Sequence, residues 1–272
     1  MNRSRGDAKT QGESGGVPRT IDLFRAMAAG IAPGREQGRA GEGRLATGEA
    51  RITVAPMSST STLVTADHFA YLASRTRRDD PFLRELKGAA EAAGIPAIWI
   101  APEQASFMQI LLTAMGARQV VEVGTLAGVS AIAMARALPA DGRVRTIEVS
   151  LRHADFATEW IARSDVAGRV AVLRGDAREL LPTLADHSAD AAFLDADKVG
   201  YPTYLEECLR IVRPGGVILV DNAFGFGELF TADPADPEVD AVRRFNDLMA
   251  VETRLHSIIV PLGDGLWVGV KR

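Results

Sequence analysis

Hydrophobic and polar positions divide the chain at about residue 60. Before it, Gly, Arg, Ser, Thr and Glu dominate, as in Gly38-Arg39-Ala40-Gly41-Glu42-Gly43-Arg44, with one apolar patch from Ile21 to Ile31. Such a segment buries too little apolar surface to offset its ordering entropy. Residues 1–60 are therefore expected to form a flexible extension, with a lid or dimer arm as the alternative; a start of translation at Met57 is a third reading. From residue 62 the pattern turns globular. Residues 64–78, 81–93 and 103–116 read as helices, the second opening on Asp80-Pro81, an N-cap followed by proline at the first helical position.

A strict alternation follows. Apolar or alternating runs at Gln119–Val123, Arg143–Val149, Arg169–Arg174, Ala191–Leu194, Val217–Val220, 254–261 and 265–271 read as seven strands. Helical patterns fill the gaps at Val129–Leu138, Arg152–Ala167, 177–184, 201–213 and 236–250. Strands alternating with helices imply an α/β fold, a mostly parallel sheet with helices on both faces. The last two strands are joined by the tight turn Gly263-Asp264-Gly265, so the sheet is expected to end on an antiparallel strand. In the helix at 201–213, Tyr201, Tyr204, Leu205, Cys208, Leu209 and Val212 share one face, which makes the single cysteine a packed core thiol.

In open α/β sheets ligands bind beyond the carboxyl ends of the strands. The first strand ends in Glu122-Val123-Gly124-Thr125-Leu126-Ala127-Gly128, a turn for close ligand approach or simply a tight strand-to-helix turn. The second ends at Glu148, suited to ribose hydroxyls or merely solvated. The third ends at Gly175-Asp176-Ala177, a place suited to an adenine ring. The fourth and fifth end in Asp195-Ala196-Asp197-Lys198 and Asp221-Asn222. Adjacent strand ends would bring Asp195, Asp221 and Asn222 together as a hard, all-oxygen set suited to Mg²⁺, the alternative being that they cap the following segments. Lys198 would stand beside them as a base or lie on the surface.

Composition narrows the choice. Aromatics are 6% of the chain and the net charge is −4, against a nucleic-acid or polybasic membrane-surface partner. One cysteine excludes an internal disulfide and a cysteine-based zinc site. The four histidines, His68, His153, His187 and His256, have no ligand spacing. No apolar run of membrane-spanning length and no leader pattern is visible, so a cytoplasmic protein is expected. Only four of the 31 basic residues are lysines, which suggests a high-GC bacterial coding bias and singles out Lys198.

Together these residues resemble the class I S-adenosylmethionine-dependent O-methyltransferases, within them the cation-dependent caffeoyl-CoA and catechol O-methyltransferases and their bacterial relatives. The resemblance spans roughly residues 63–272. It is carried by Val120-Val121-Glu122-Val123-Gly124-Thr125, by Phe193-Leu194-Asp195-Ala196-Asp197-Lys198 with Tyr201 and Tyr204, and by Arg213-Pro214-Gly215-Gly216 running into Asp221-Asn222. Phe245-Asn246 and Pro261-Leu262-Gly263-Asp264-Gly265-Leu266 add to it. It implies a Rossmann-like methyltransferase domain over 61–272, commonly dimeric. Glu122, Gly124, Thr125, Ser130 and Ile100 would line the methionine part of S-adenosylmethionine. Glu148 would hold the ribose, Ala177 would lie by the adenine, and Asp197 would approach the amino group. Asp195 would serve both cofactor and metal. Asp195, Asp221 and Asn222 would bind Mg²⁺ or another divalent cation, and Lys198 would take the acceptor proton.

The chain departs from the family after Asp221-Asn222. There the family usually shows x-Leu-Trp-x-Gly, and this chain has Ala223-Phe224-Gly225-Phe226-Gly227. The turn at 126–129 also lacks the tyrosines common there. The acceptor is therefore expected to be a small hydroxylated aromatic unlike caffeoyl-CoA, with a natural product as the leading expectation. A non-catalytic S-adenosylmethionine-binding regulator is the principal alternative. An NAD-dependent oxidoreductase is disfavoured by the missing third glycine, and a nucleic-acid methylase by the lack of a basic face.

Overall fold

The computed structural model describes residues 64–272; the expectations for residues 1–60 lie outside them. Three helices come first: α1 (Ala66–Arg75), α2 (Pro81–Ala92) and α3 (Pro102–Ala114). Asp80 caps α2 by accepting from the Leu83 amide at 2.8 Å, with Pro81 behind it as the sequence predicts. The alternating part follows as β1 (Gln119–Val123), α4 (Val129–Ala137), β2 (Arg143–Glu148), α5 (Leu151–Ala162), β3 (Val170–Arg174), the short α6 (Ala177–Leu180), β4 (Ala189–Leu194), α7 (Tyr201–Ile211), β5 (Val212–Val220), α8 (Val239–Val251), β6 (Leu255–Val260) and β7 (Leu266–Lys271).

The seven strands form one sheet in the order β3-β2-β1-β4-β5-β7-β6. The pairs β1–β2, β2–β3, β1–β4 and β4–β5 are parallel. Strand β7 runs antiparallel to both neighbours, β5 and β6, so the terminal strand is antiparallel as expected. Strand β5 starts earlier than the apolar pattern suggests. Val212 already pairs with Ala189, and the register shifts before Ala191 pairs with Val217. Pro214 and Gly215, the latter at φ 74°, accommodate that irregularity.

Strand residues divide by parity between two cores, as the two-residue period of a strand requires. Val120, Ala191, Phe193, Val217 and Leu219 pack with Leu86, Met108, Leu112, Ile132 and Trp160 on the side of α2 to α5. Val121, Val123, Ala192, Leu194, Ile218 and Val220 pack with Leu205, Cys208, Phe245 and Met249 on the side of α7 and α8. Both faces of the sheet are thus covered, which leaves the strand ends as the place for a ligand. The strand order reverses between β1 and β4, and their carboxyl ends open the crevice there.

Candidate active site

The crevice holds a cavity of about 310 Å³, within the size range of small-molecule sites. Among its lining residues are Ile100, Gly124, Thr125, Ser130, Glu148, Ala177, Asp195 and Asp197. Eight residues singled out from the sequence therefore meet on one wall system. Its floor is the β1 turn. Gly124 has φ 99°, and a Cβ there would stand 1.9 Å from the Asp195 carbonyl oxygen, so β1 and β4 approach each other as only glycine permits. Leu126 has the left-handed φ of 49°. The strain is held by Glu148, whose Oε2 accepts from the amides of Thr125 at 3.1 Å and Leu126 at 2.8 Å. Its Oε1 accepts from Ser150 at 2.9 Å. Glu148 is thus buried and anchored, with lone pairs left for a ligand, and is not a solvated strand-end carboxylate.

Glu122 is completely buried beneath this floor, and neither carboxylate oxygen has a hydrogen-bond partner. Burial pushes its pKa up to about 8, and the nearby hydroxyls of Ser130 and Thr146 pull the other way. An unpaired acid in the interior is costly and points to a function. Asp197 lies on the cavity rim and is engaged on both oxygens: Tyr204 Oη donates to Oδ1 at 2.6 Å and the Gly200 amide to Oδ2 at 2.9 Å.

The second group lies at the ends of β4 and β5. Lys198 is only 5% exposed, and charged side chains are rarely buried unpaired. Its Nζ donates to Tyr201 Oη at 2.7 Å and lies 3.4 Å from Asp195 Oδ1. The surface-lysine alternative falls with this geometry. Asp195 keeps a quarter of its side chain exposed. Burial raises its pKa and Lys198 opposes the rise. Asp221 is buried too and is pushed up to about 7, first by desolvation and then by the negative charge of Asp195. The carboxamide of Gln104 lies beside Asp221, yet its buried Nε2 finds no hydrogen-bond partner. Asn222 adopts φ 63° and donates through Nδ2 to Asp264 Oδ2 at 3.2 Å. Two carboxylates, both raised by burial and Asp221 further by the charge of Asp195, form with an amide oxygen a set of hard donors that a divalent cation would relieve. Among the described residues no three His, Cys, Asp or Glu side chains converge as a metal-binding group; here the third donor is an amide.

Several further wall residues were given no site role of their own from the sequence. Trp99, His153, Asp176, Arg178 and Tyr204 also line the cavity. Tyr204 was legible as one member of an apolar helix face and as a neighbour of the run ending in Lys198, and His153 only as a histidine without ligand spacing. His153 Nδ1 sits 3.8 Å from Glu148 Oε1.

The chain and its fold have counterparts among known proteins. A family profile described as O-methyltransferase matches residues 73–272. A catechol O-methyltransferase of Niastella koreensis is 38% identical over 196 residues, 71% of this chain and 86% of that protein. One from Mycobacterium tuberculosis is 39% identical over 201 residues, 74% and 91% of the two chains. Among solved structures, an O-methyltransferase from Bacillus cereus in complex with SAH is 35% identical with a TM-score of 0.68, covering 75% of this chain and 96% of that one. The O-methyltransferase TomG from Streptomyces achromogenes, involved in tomaymycin synthesis and in complex with SAM, is 31% identical with a TM-score of 0.66 and the same coverage. No helix among the described residues is long and apolar enough to cross a membrane.

Proposed function

Since the chain belongs to the O-methyltransferase family over residues 73–272, we propose that it transfers a methyl group from S-adenosylmethionine to a hydroxyl of a small aromatic acceptor with two vicinal oxygens. The observation that carries this reading is Lys198, buried at the ends of β4 and β5 with Nζ 3.4 Å from Asp195 Oδ1 and next to Asp221. The similarity to catechol O-methyltransferases supports the vicinal acceptor. The likeness to TomG supports a place in natural-product synthesis.

S-adenosylmethionine fits the cavity of β1 to β4. Ile100, Gly124, Thr125 and Ser130 would enclose its methionine end, with Glu122 below it and Asp197 at the rim approaching its amino group. Glu148 would take the ribose and Ala177 would flank the adenine. A divalent cation such as Mg²⁺ fits the hard donors of Asp195, Asp221 and the Asn222 amide oxygen. When bound, S-adenosylmethionine supplies a methyl group on a sulfonium sulfur, and the cation supplies Lewis acidity that favours a deprotonated acceptor hydroxyl.

The chain's own contribution is proton handling and positioning. In its neutral form Lys198 Nζ accepts the proton of the acceptor hydroxyl. Tyr201 Oη at 2.7 Å and Asp195 Oδ1 at 3.4 Å then take two of the three N–H groups of the ammonium. Burial of the lysine stem fixes where the proton goes, and alignment of reactants in such a site can supply much of the acceleration. The test is transfer of a labelled methyl group from S-adenosylmethionine to a panel of catechols, with and without EDTA, by wild type and Lys198→Ala. Turnover lost in EDTA and in the variant, with cofactor binding kept, is expected. Turnover indifferent to EDTA removes the cation from the reading. Tight cofactor binding without turnover on any acceptor favours the binding-protein alternative.

A further inference from the structure

The turn between β6 and β7 is tied to the loop after β5 by the Asp264 side chain and by two backbone hydrogen bonds. Asp264 Oδ2 accepts from Asn222 Nδ2 at 3.2 Å and from the Phe226 amide at 2.7 Å, and Oδ1 accepts from the Gly227 amide at 3.2 Å. Its backbone carbonyl accepts from Phe224 at 2.8 Å. Gly265, at φ 79°, packs so closely on the Phe224 ring that a Cβ would lie 2.8 Å from Cγ, so only glycine lets the turn come this near. Two residues held by the carboxylate, Asn222 and Phe226, have left-handed φ of 63° and 59° without being glycine. Such conformations persist only where the surroundings over-determine them, and they gather at functional sites.

Two of the held residues adjoin the candidate chemistry, Asn222 as the neighbour of Asp221 and Phe226 beside Lys198. A carboxylate only accepts hydrogen bonds, so Asp264 fixes which end of the Asn222 amide it receives. With Nδ2 committed to Asp264, Oδ1 is the end left for a cation. The Phe226 ring centroid lies 5.8 Å from Lys198 Nζ, although the residue is 41% exposed. A flat apolar surface thus stands beside the proton-accepting nitrogen, supported by the loop that carries Asn222.

We propose that Asp264 is a positioning residue that sets both the orientation of the cation ligand Asn222 and the placement of Phe226 as an aromatic wall for a planar aryl acceptor. The inference rests on the cation reading above. It makes cation affinity and acceptor affinity separable at Phe226 and linked at Asp264.

The experiment is titration of the purified full chain with Mn²⁺, read by electron paramagnetic resonance, with S-adenosylmethionine binding and thermal unfolding as checks of folding. Catechol kinetics are run alongside. Asp264→Ala is expected to weaken Mn²⁺ binding about tenfold, the scale for loss of a residue that orients a metal ligand, and to raise the acceptor KM. Phe226→Ala is expected to raise the acceptor KM about tenfold, as loss of a stacked aromatic contact does, with Mn²⁺ binding unchanged. Asp264→Asn is nearly isosteric and carries the test if the alanine variant unfolds. Its amide accepts on one side only, so a loss of about threefold in Mn²⁺ affinity is expected, short of full removal of the orienting group. Folded Asp264 variants that bind Mn²⁺ as tightly as wild type overturn the inference and leave the methyltransferase reading standing. Absence of saturable Mn²⁺ binding in wild type overturns both the inference and the cation reading.

Discussion

The hydroxyl of Tyr201 accepts a 2.7 Å hydrogen bond from Lys198 Nζ, three residues before it in the chain. The phenol is buried, packed edge-on to Phe245 at 5.2 Å, and its Oη lies 3.3 Å from the Asp221 carbonyl, to which it can donate. Burial and the surrounding carboxylates raise its pKa well above the usual tyrosine range, so it remains a neutral phenol. It therefore holds the lysine without competing for its proton.

Tyr201→Phe keeps the ring packing and removes this acceptor. Lys198 then retains Asp195 as its partner, at 3.4 Å. A fall in kcat of about tenfold is expected, equivalent to a net hydrogen bond of about 1.4 kcal/mol. The acceptor KM should change little, since the phenol contacts the base and is buried away from solvent. Steady-state kinetics on a catechol check the split. A raised KM with unchanged kcat would assign Tyr201 to packing alone.

Much of this site was legible because its chemistry lies in short runs at strand ends. Asp195, Asp197 and Lys198 follow β4 directly, and Asp221-Asn222 close β5, so finding the strands located the residues. The core position of Cys208 was equally readable, from the helical periodicity of its neighbours. What escaped depends on direction and distance. Trp99 and His153 reach the cavity from loops or helix starts whose path is set by packing. Asp264 contacts Asn222 across 42 positions of sequence, and no local pattern marks such a pair. The isolation of Glu122 was hidden too, since an acid within an apolar strand does not reveal whether a partner faces it.

The glycine turn offers a sharper structural test than its sequence does. At Gly124 a Cβ would meet backbone, 1.9 Å from the Asp195 carbonyl oxygen, and the φ of 99° is unfavourable for any other residue. At Gly128 the nearest atom is Ile161 Cδ1 at 3.2 Å, the end of a side chain that can turn away. Gly124→Ala should therefore displace the end of β4, abolish S-adenosylmethionine binding and cost several kcal/mol, about the range of overpacking plus strain. Gly128→Ala, at φ 87°, should cost about 1–2 kcal/mol and leave measurable binding. Calorimetric titration and thermal unfolding of both variants check the order. Equal losses would mean that the approach of β1 to β4 is not the controlling contact.

Glu122 should make the ligand-free protein lose stability as the pH rises. Its folded pKa of about 8 lies above the ordinary 4.5. Between these values the folded state holds a proton that the unfolded chain has released. The unfolded state binds fewer protons, so stability falls with rising pH across that window, by up to about 1.4 kcal/mol per pH unit. Below pH 4.5 both states are protonated and the loss is absent. Above about 8 both are ionised and the penalty is fully present. Glu122→Gln removes the titration. It should raise the thermal midpoint of the ligand-free protein at pH 8 and change it little at pH 5. If the buried acid serves the methionine end of S-adenosylmethionine, the same variant should bind that cofactor at least about tenfold more weakly, since a charge-assisted hydrogen bond is lost. Unfolding scans at the two pH values, paired with cofactor titrations, separate these effects. A midpoint equally shifted at both would show that the carboxyl is not the group that titrates, and undiminished affinity would remove Glu122 from the cofactor site.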